Sequence, residues 1–138
     1  MRAFILLILL VVPVYGAEEQ TLTVDGRRRS VLIHVPKQLL GKADNPAVIV
    51  LHGGASNPRM MELYSGLSRK ADEAGFIAVY PEGTGRLNLL TWNAGSCCGY
   101  AVTHKVDDLK FIGRVIDLLI SRYRVAANRV YVTGISNG

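Results

Sequence analysis

The residues with the clearest chemistry are Gly134-Ile135-Ser136-Asn137-Gly138, a Gly-x-Ser-x-Gly pattern. That spacing makes physical sense at a tight turn from a strand into a helix, where the serine takes a strained backbone conformation. Residues Arg129 to Thr133 alternate and are mostly β-branched or aromatic, which predicts the strand. Glycines two positions either side of the serine remove Cβ atoms that would meet the neighbouring strand and helix. The hydroxyl is thereby exposed above the sheet as a nucleophile for an acyl carbon. In a chain with 14 glycines the pattern also arises by chance, so the competing reading is a solvated serine in a glycine-rich turn. The strand directly ahead favours the nucleophile.

Attack on an acyl group puts negative charge on its oxygen, and two backbone N–H groups must meet that charge. One comes from the residue after the serine, Asn137. The other comes from the loop after an earlier strand, where His52-Gly53-Gly54 lets the backbone approach substrate closely. Gly54 is the expected donor, with Ala55 as the alternative. Each such donor contributes about 3–4 kcal/mol to the transition state. His52 is read as shaping this loop, its imidazole bonded to backbone.

A serine nucleophile also needs a base and an orienting acid. The three histidines, His34, His52 and His104, all precede Ser136, whereas this architecture runs Ser, then Asp or Glu, then His. His34 reads as a strand residue and His104 stands just ahead of a helix. Asp107 and Asp108 read as helix-capping and packing groups. These 138 residues thus hold a nucleophile and an oxyanion hole without acid or base, and the segment alone is predicted to be inactive.

The elements that position these groups are legible in part. Gln20 to Asp25 and Ser30 to Pro36 form a hairpin around Asp25-Gly26. Ala47 to Leu51 and Phe76 to Tyr80 are continuous apolar runs, suited to strands buried on both faces. Apolar residues at three-and-four spacing from Met60 to Ala74 predict one amphipathic helix, closed by Gly75. The Met60-Met61 pair reads as helix packing. Thr84 to Thr103 lacks a clear period, as site-lining stretches often do. A long helix follows, capped by Asp107, with Phe111, Ile112, Val115, Ile116, Leu119 and Ile120 on one face. Strands alternating with helices predict an α/β fold, a mostly parallel sheet covered by helices on both sides.

Composition adds bounds. Met1-Arg2, an apolar run from Ala3 to Val14 and small residues before Glu18 describe a secretory signal peptide over 1–17, too short for a transmembrane anchor. Residues 18–138 are then the N-terminal part of a single domain in an exported protein, secreted or periplasmic. The net charge of +5 is scattered apart from Arg27-Arg28-Arg29, read as a solvated turn. No basic stripe with interleaved aromatics points to nucleic acid. Cys97 and Cys98 are adjacent, and each would more readily pair with a distant cysteine, although a vicinal disulfide stays open. Nothing calls for a metal or an organic cofactor.

Several stretches together resemble one family: Val50-Leu51-His52-Gly53-Gly54, Tyr80-Pro81-Glu82-Gly83-Thr84, Thr91-Trp92-Asn93-Ala94-Gly95, Cys97-Cys98-Gly99-Tyr100, Val106-Asp107-Asp108 and the Ser136 motif. In this order they are similar to the secreted polyhydroxybutyrate depolymerase and feruloyl/acetylxylan esterase group of α/β-hydrolases. The resemblance covers the chain from about Arg28 onward. It implies Ser136 as nucleophile, an oxyanion hole from Gly54 and Asn137, and a substrate cleft lined by His52 and Trp92. A family member would continue with a helix, the triad Asp and His, and further cysteines. The implied activity is hydrolysis of a carboxylic ester, in a polyester first, or alternatively in a feruloylated or acetylated plant polysaccharide. A serine peptidase on the same fold and a non-catalytic, hydrolase-like binding protein are the competing classes.

Overall fold

The computed structural model describes residues 16–138, so the expected leader lies outside the described residues except for Gly16 and Ala17. Seven strands occur in chain order: β1 (Glu18–Val24), β2 (Arg27–His34), β3 (Asn45–Leu51), β4 (Ile77–Pro81), β5 (Thr84–Arg86), β6 (Leu89–Thr91) and β7 (Val125–Gly134). Five of them form one sheet in the order β1-β2-β4-β3-β7. The β1–β2 hairpin turns at Asp25 and Gly26, with φ of 50° and 73°. Two successive positive φ angles suit the right-handed twist of the strands, and Asp-Gly is a sequence that supplies them.

β3 pairs in parallel with both β4 and β7, while β2 runs antiparallel to β1 and β4. The sheet is therefore mixed over the described residues, which corrects the expectation of a mostly parallel one. The hairpin is the reason, because it delivers β2 onto β4 in the reverse direction.

The sheet is packed on both faces, as the apolar runs predict. The helices in chain order are α1 (Pro58–Ser65), α2 (Leu67–Ala74), α3 (Gly99–Thr103) and α4 (Asp108–Tyr123), and on one side Val31, Ile33, Ile49 and Val79 meet Phe111, Val115 and Leu119 of α4. On the other side Leu32, Val50, Ala78 and Tyr80 meet Met61 of α1 and Ala71 of α2. Asp107 caps α4 by accepting the N–H of Lys110 at 2.9 Å.

Three expectations need correction here. The single helix over Met60 to Ala74 is two, because Gly66 adopts φ 63° and ends α1 as a left-handed cap. The break turns Leu63 and Tyr64 to solvent, at 80% and 74% exposure. The aperiodic stretch after Thr84 holds a small hairpin, β5–β6, turning at Leu87 and Asn88, and then the short α3. Arg29 of the basic triplet is buried against α4. It shares a face of β2 with Val31 and Ile33, lies 3.9 Å over the Phe111 ring and pairs with Asp108 at 2.7 Å.

Candidate active site

β7 ends at Gly134, and the chain turns sharply with Ser136 at φ 54°. A non-glycine residue there is strained, and such strain concentrates at functional sites. Both glycines of the motif are sterically required. A Cβ on Gly134 would stand 2.5 Å from the carbonyl carbon of Gly138, and one on Gly138 would stand 2.5 Å from the carbonyl oxygens of Leu51 and His52. The turn is thus pressed against the end of β3, and it is tied there by the Ile135 N–H to Leu51 C=O bond of 3.3 Å. Ser136 is exposed at this corner.

The loop after β3 lies against the same turn. A Cβ on Gly53 would be 3.6 Å from the Ser136 Cβ, and one on Gly54 would be 3.6 Å from the Asn137 Cβ. His52 shapes this loop from below. A carbonyl only accepts, so His52 Nδ1 carries the hydrogen to Gly53 C=O (2.8 Å), while Nε2 accepts the Gly83 N–H (3.0 Å). Burial also lowers the His52 pKa, so the ring is held neutral in one tautomer. Fixing the Gly53 carbonyl fixes the rest of that planar peptide, and the Gly54 N–H points the opposite way, away from the imidazole. Neither the Gly54 nor the Asn137 N–H donates a hydrogen bond among the described residues. The Ala55 N–H is committed to Leu90 C=O at 2.9 Å, which removes it as the alternative donor.

His52 and Trp92 do not line a cleft, contrary to expectation. His52 is 0% exposed and Trp92 is 4% exposed. Each is buried because its polar atoms are claimed by backbone: the Trp92 indole N–H donates to His52 C=O at 2.8 Å, and its ring sits 5.0 Å from the imidazole. The groove beside Ser136, about 240 Å³, is walled instead by Met60, Met61, Tyr64 and Ile135, with Gly53, Gly54 and Ser56. Met61 packs in the core as expected, while Met60 is 56% exposed on the groove. The signal that could have found this wall is proximity in sequence, because α1 begins directly after the glycine loop.

Among the described residues, no histidine or carboxylate lines the groove. His52 has both nitrogens engaged, His34 faces Asp72 at 2.8 Å on α2, and His104, just past α3, bonds to Tyr100 C=O. Among the described residues, then, no group stands ready to take the serine proton.

The loop from Trp92 to Cys98 is tied to Asp108 and to Asn137. Its Asn93 N–H donates to Asp108 Oδ2 at 2.7 Å, and Asp108 Oδ1 holds Arg29. Burial lowers the Arg29 pKa, and the hydrogen bond from Arg29 to Asp108 opposes that shift. Cys97 and Cys98 are paired with each other, and Cys97 Sγ lies 4.0 Å from Asn137 Nδ2.

No family model matches the chain. It is 36% identical over 115 residues to feruloyl esterase B of Neurospora crassa and 32% identical over 108 residues to acetylxylan esterase A of Emericella nidulans. These alignments take in 76% and 77% of this chain but 34% and 33% of those proteins. A bifunctional acetylxylan esterase/xylanase of Neocallimastix patriciarum is 27% identical over 82% of this chain and 15% of its own length. The chain thus spans about a third or less of the curated relatives it matches. Among solved structures, a thermostable esterase superposes with a TM-score of 0.65 at 19% identity, over 88% of this chain and 35% of that one. An acetyl xylan esterase from Aspergillus awamori gives 0.59 at 21%, over 85% and 42%. The chain has the α/β-hydrolase fold. Within that fold the parallel trio β4, β3 and β7 presents its C-terminal ends to one side, and the Ser136 turn and the glycine loop both lie there. Among the described residues of this α/β-hydrolase chain, no helix is long and apolar enough to cross a membrane.

Proposed function

We propose that the chain is the N-terminal part of an exported serine esterase, with residues 1–17 as its leader and Ser136 as its nucleophile. The observation that carries this is Ser136 at φ 54°, exposed between two glycines that admit no side chain. The Ser136 Oγ attacks the ester carbonyl, and its proton passes to a base that the described residues do not supply. The Gly54 and Asn137 N–H groups receive the oxyanion. Collapse of the tetrahedral intermediate releases the alcohol with that proton, and water then hydrolyses the acyl-enzyme to the free acid.

The relatives named acetylxylan and feruloyl esterases favour an acetyl or hydroxycinnamoyl ester on plant polysaccharide. The groove supports an acyl group larger than acetyl, since its walls are apolar and carry one aromatic ring, Tyr64. A polyester substrate is the second reading, favoured by the exposed apolar side chains Met60, Leu63 and Tyr64 on α1 and Leu87 and Leu89 at the β5–β6 turn.

The test is hydrolysis of p-nitrophenyl acetate, methyl ferulate and a hydroxybutyrate oligomer by the full-length protein and its Ser136→Ala variant. Loss of turnover by about 10⁴-fold or more in the variant is expected. Equal rates in the two proteins would remove Ser136 from the mechanism. The 138-residue chain alone is expected to show no turnover, for want of a base.

A further inference from the structure

Trp92 touches both loops that carry the proposed oxyanion donors. Its indole N–H holds the His52 carbonyl at 2.8 Å, next to Gly53-Gly54. Its main chain holds Asn137: Asn137 Oδ1 accepts the Trp92 N–H at 2.8 Å, and Asn137 Nδ2 donates to the Trp92 C=O at 3.1 Å. A planar amide bonded at both ends to one residue has little rotational freedom, so the bonds orient the whole Asn137 residue. We propose that Trp92 and the Asn137 side chain form a brace that sets the separation of the Gly54 and Asn137 N–H groups, making both positioning residues for transition-state stabilisation. This rests on the serine-esterase reading above.

Three features make it more than packing. Trp92 is 4% exposed, so it does not act by touching substrate. The glycine loop faces Asn137 so closely that a Cβ added to Gly54 would already be in contact with the Asn137 Cβ, at 3.6 Å, so little slack separates the two donors. The far end of the brace is anchored, because the next N–H, of Asn93, is held by the buried Asp108 carboxylate at 2.7 Å. Oxyanion donors work only at 2.7–3.1 Å from the developing charge, and misplacement by about 1 Å costs about 100-fold in rate.

Two near-isosteric variants of the full-length protein test the brace. Trp92→Phe keeps an aromatic ring in the core and removes the N–H to His52 together with part of the indole's volume. Asn137→Asp keeps the shape, the backbone N–H and the acceptor for Trp92, and sets a carboxylate oxygen against the Trp92 carbonyl. Each is expected to lower kcat by about 10- to 100-fold with KM within about twofold. Affinity for a boronic acid that forms a tetrahedral adduct on the serine should fall by a similar factor, while affinity for the carboxylic acid product stays level. The double variant should lose less than the product of the two single losses, because both act on one geometry. Wild-type kcat in both variants, or a loss confined to KM, overturns the brace while leaving the esterase reading intact. Turnover surviving Ser136→Ala would overturn the esterase reading itself, and the brace with it.

Discussion

The floor beneath Ser136 and the wall beside it are built in opposite ways. In the floor, His52, Gly83, Trp92 and Asn137 are linked through their polar atoms in a largely buried network. In the wall, Met60 and Tyr64 are exposed side chains that present mostly apolar surface to the groove. A buried polar network tolerates one geometry, since any unpaired member carries its full desolvation penalty. An apolar wall fits ligands of several shapes by dispersion and rotamer adjustment, methionine most of all. In the proposed mechanism, the floor governs rate and the wall governs which ester is preferred. Substitutions that fail to divide along that line would break the distinction.

The largest effect is expected where the floor meets the fold. Asp108 takes Arg29 on one oxygen and the Asn93 N–H on the other, at 2.7 Å each. Asp108→Ala leaves a buried guanidinium uncompensated and an N–H unpaired, and should destabilise the full-length protein by about 3–5 kcal/mol in a denaturant titration. Replacing Arg29 and Asp108 together, by Met and Leu, should recover much of that loss. A single Asp108→Ala variant within about 0.5 kcal/mol of wild type would show that the pair is not the anchor described.

The floor should also respond to acid. Burial holds the His52 pKa below its ordinary value near 6.5, so the folded state binds fewer protons there than the unfolded chain. The stability that His52 contributes is complete above about 6.5 and is lost as pH falls through the depressed folded value. The midpoint of thermal unfolding should fall on acidification, more steeply in wild type than in His52→Gln. His34 and His104 are the same in both proteins, so the difference isolates His52. Identical slopes would mean that the imidazole is not held neutral.

The floor and wall also differ in how far the sequence discloses them. The hairpin, the two buried strands and the Ser136 turn follow from local rules: Asp-Gly at a turn, unbroken apolar runs, and glycines flanking a serine. The loop-shaping role of His52 follows as well, from its place between a strand and two glycines. What stays hidden depends on contacts distant in sequence. Arg29 looks like one of three solvated arginines, yet alternation with Val31 and Ile33 places it on the core face, where Asp108 awaits it 79 positions later. Trp92 looks like an exposed aromatic in an aperiodic loop because its partner, a main-chain carbonyl at His52, has no signature of its own. Gly66 interrupts a helical pattern that periodicity alone carries straight through. The adjacent cysteines bond each other, which their spacing leaves as one option among several.

The wall gives the smallest effect and the sharpest contrast. Tyr64 is 74% exposed and engages no core cluster, so Tyr64→Ala should change stability by less than about 0.5 kcal/mol. Its ring nevertheless borders the groove that begins at Ser136. If the acyl group lies there, losing that ring removes apolar contact worth about 1–2 kcal/mol to a hydroxycinnamoyl ester and almost nothing to an acetyl ester. KM for methyl ferulate should then rise by about 5- to 30-fold, with p-nitrophenyl acetate unchanged and kcat for both near wild type. Contact made equally in ground and transition states shows in KM alone. A fall in kcat for both esters would instead mean that α1 helps to set the geometry of the turn, and that wall and floor are mechanically one unit.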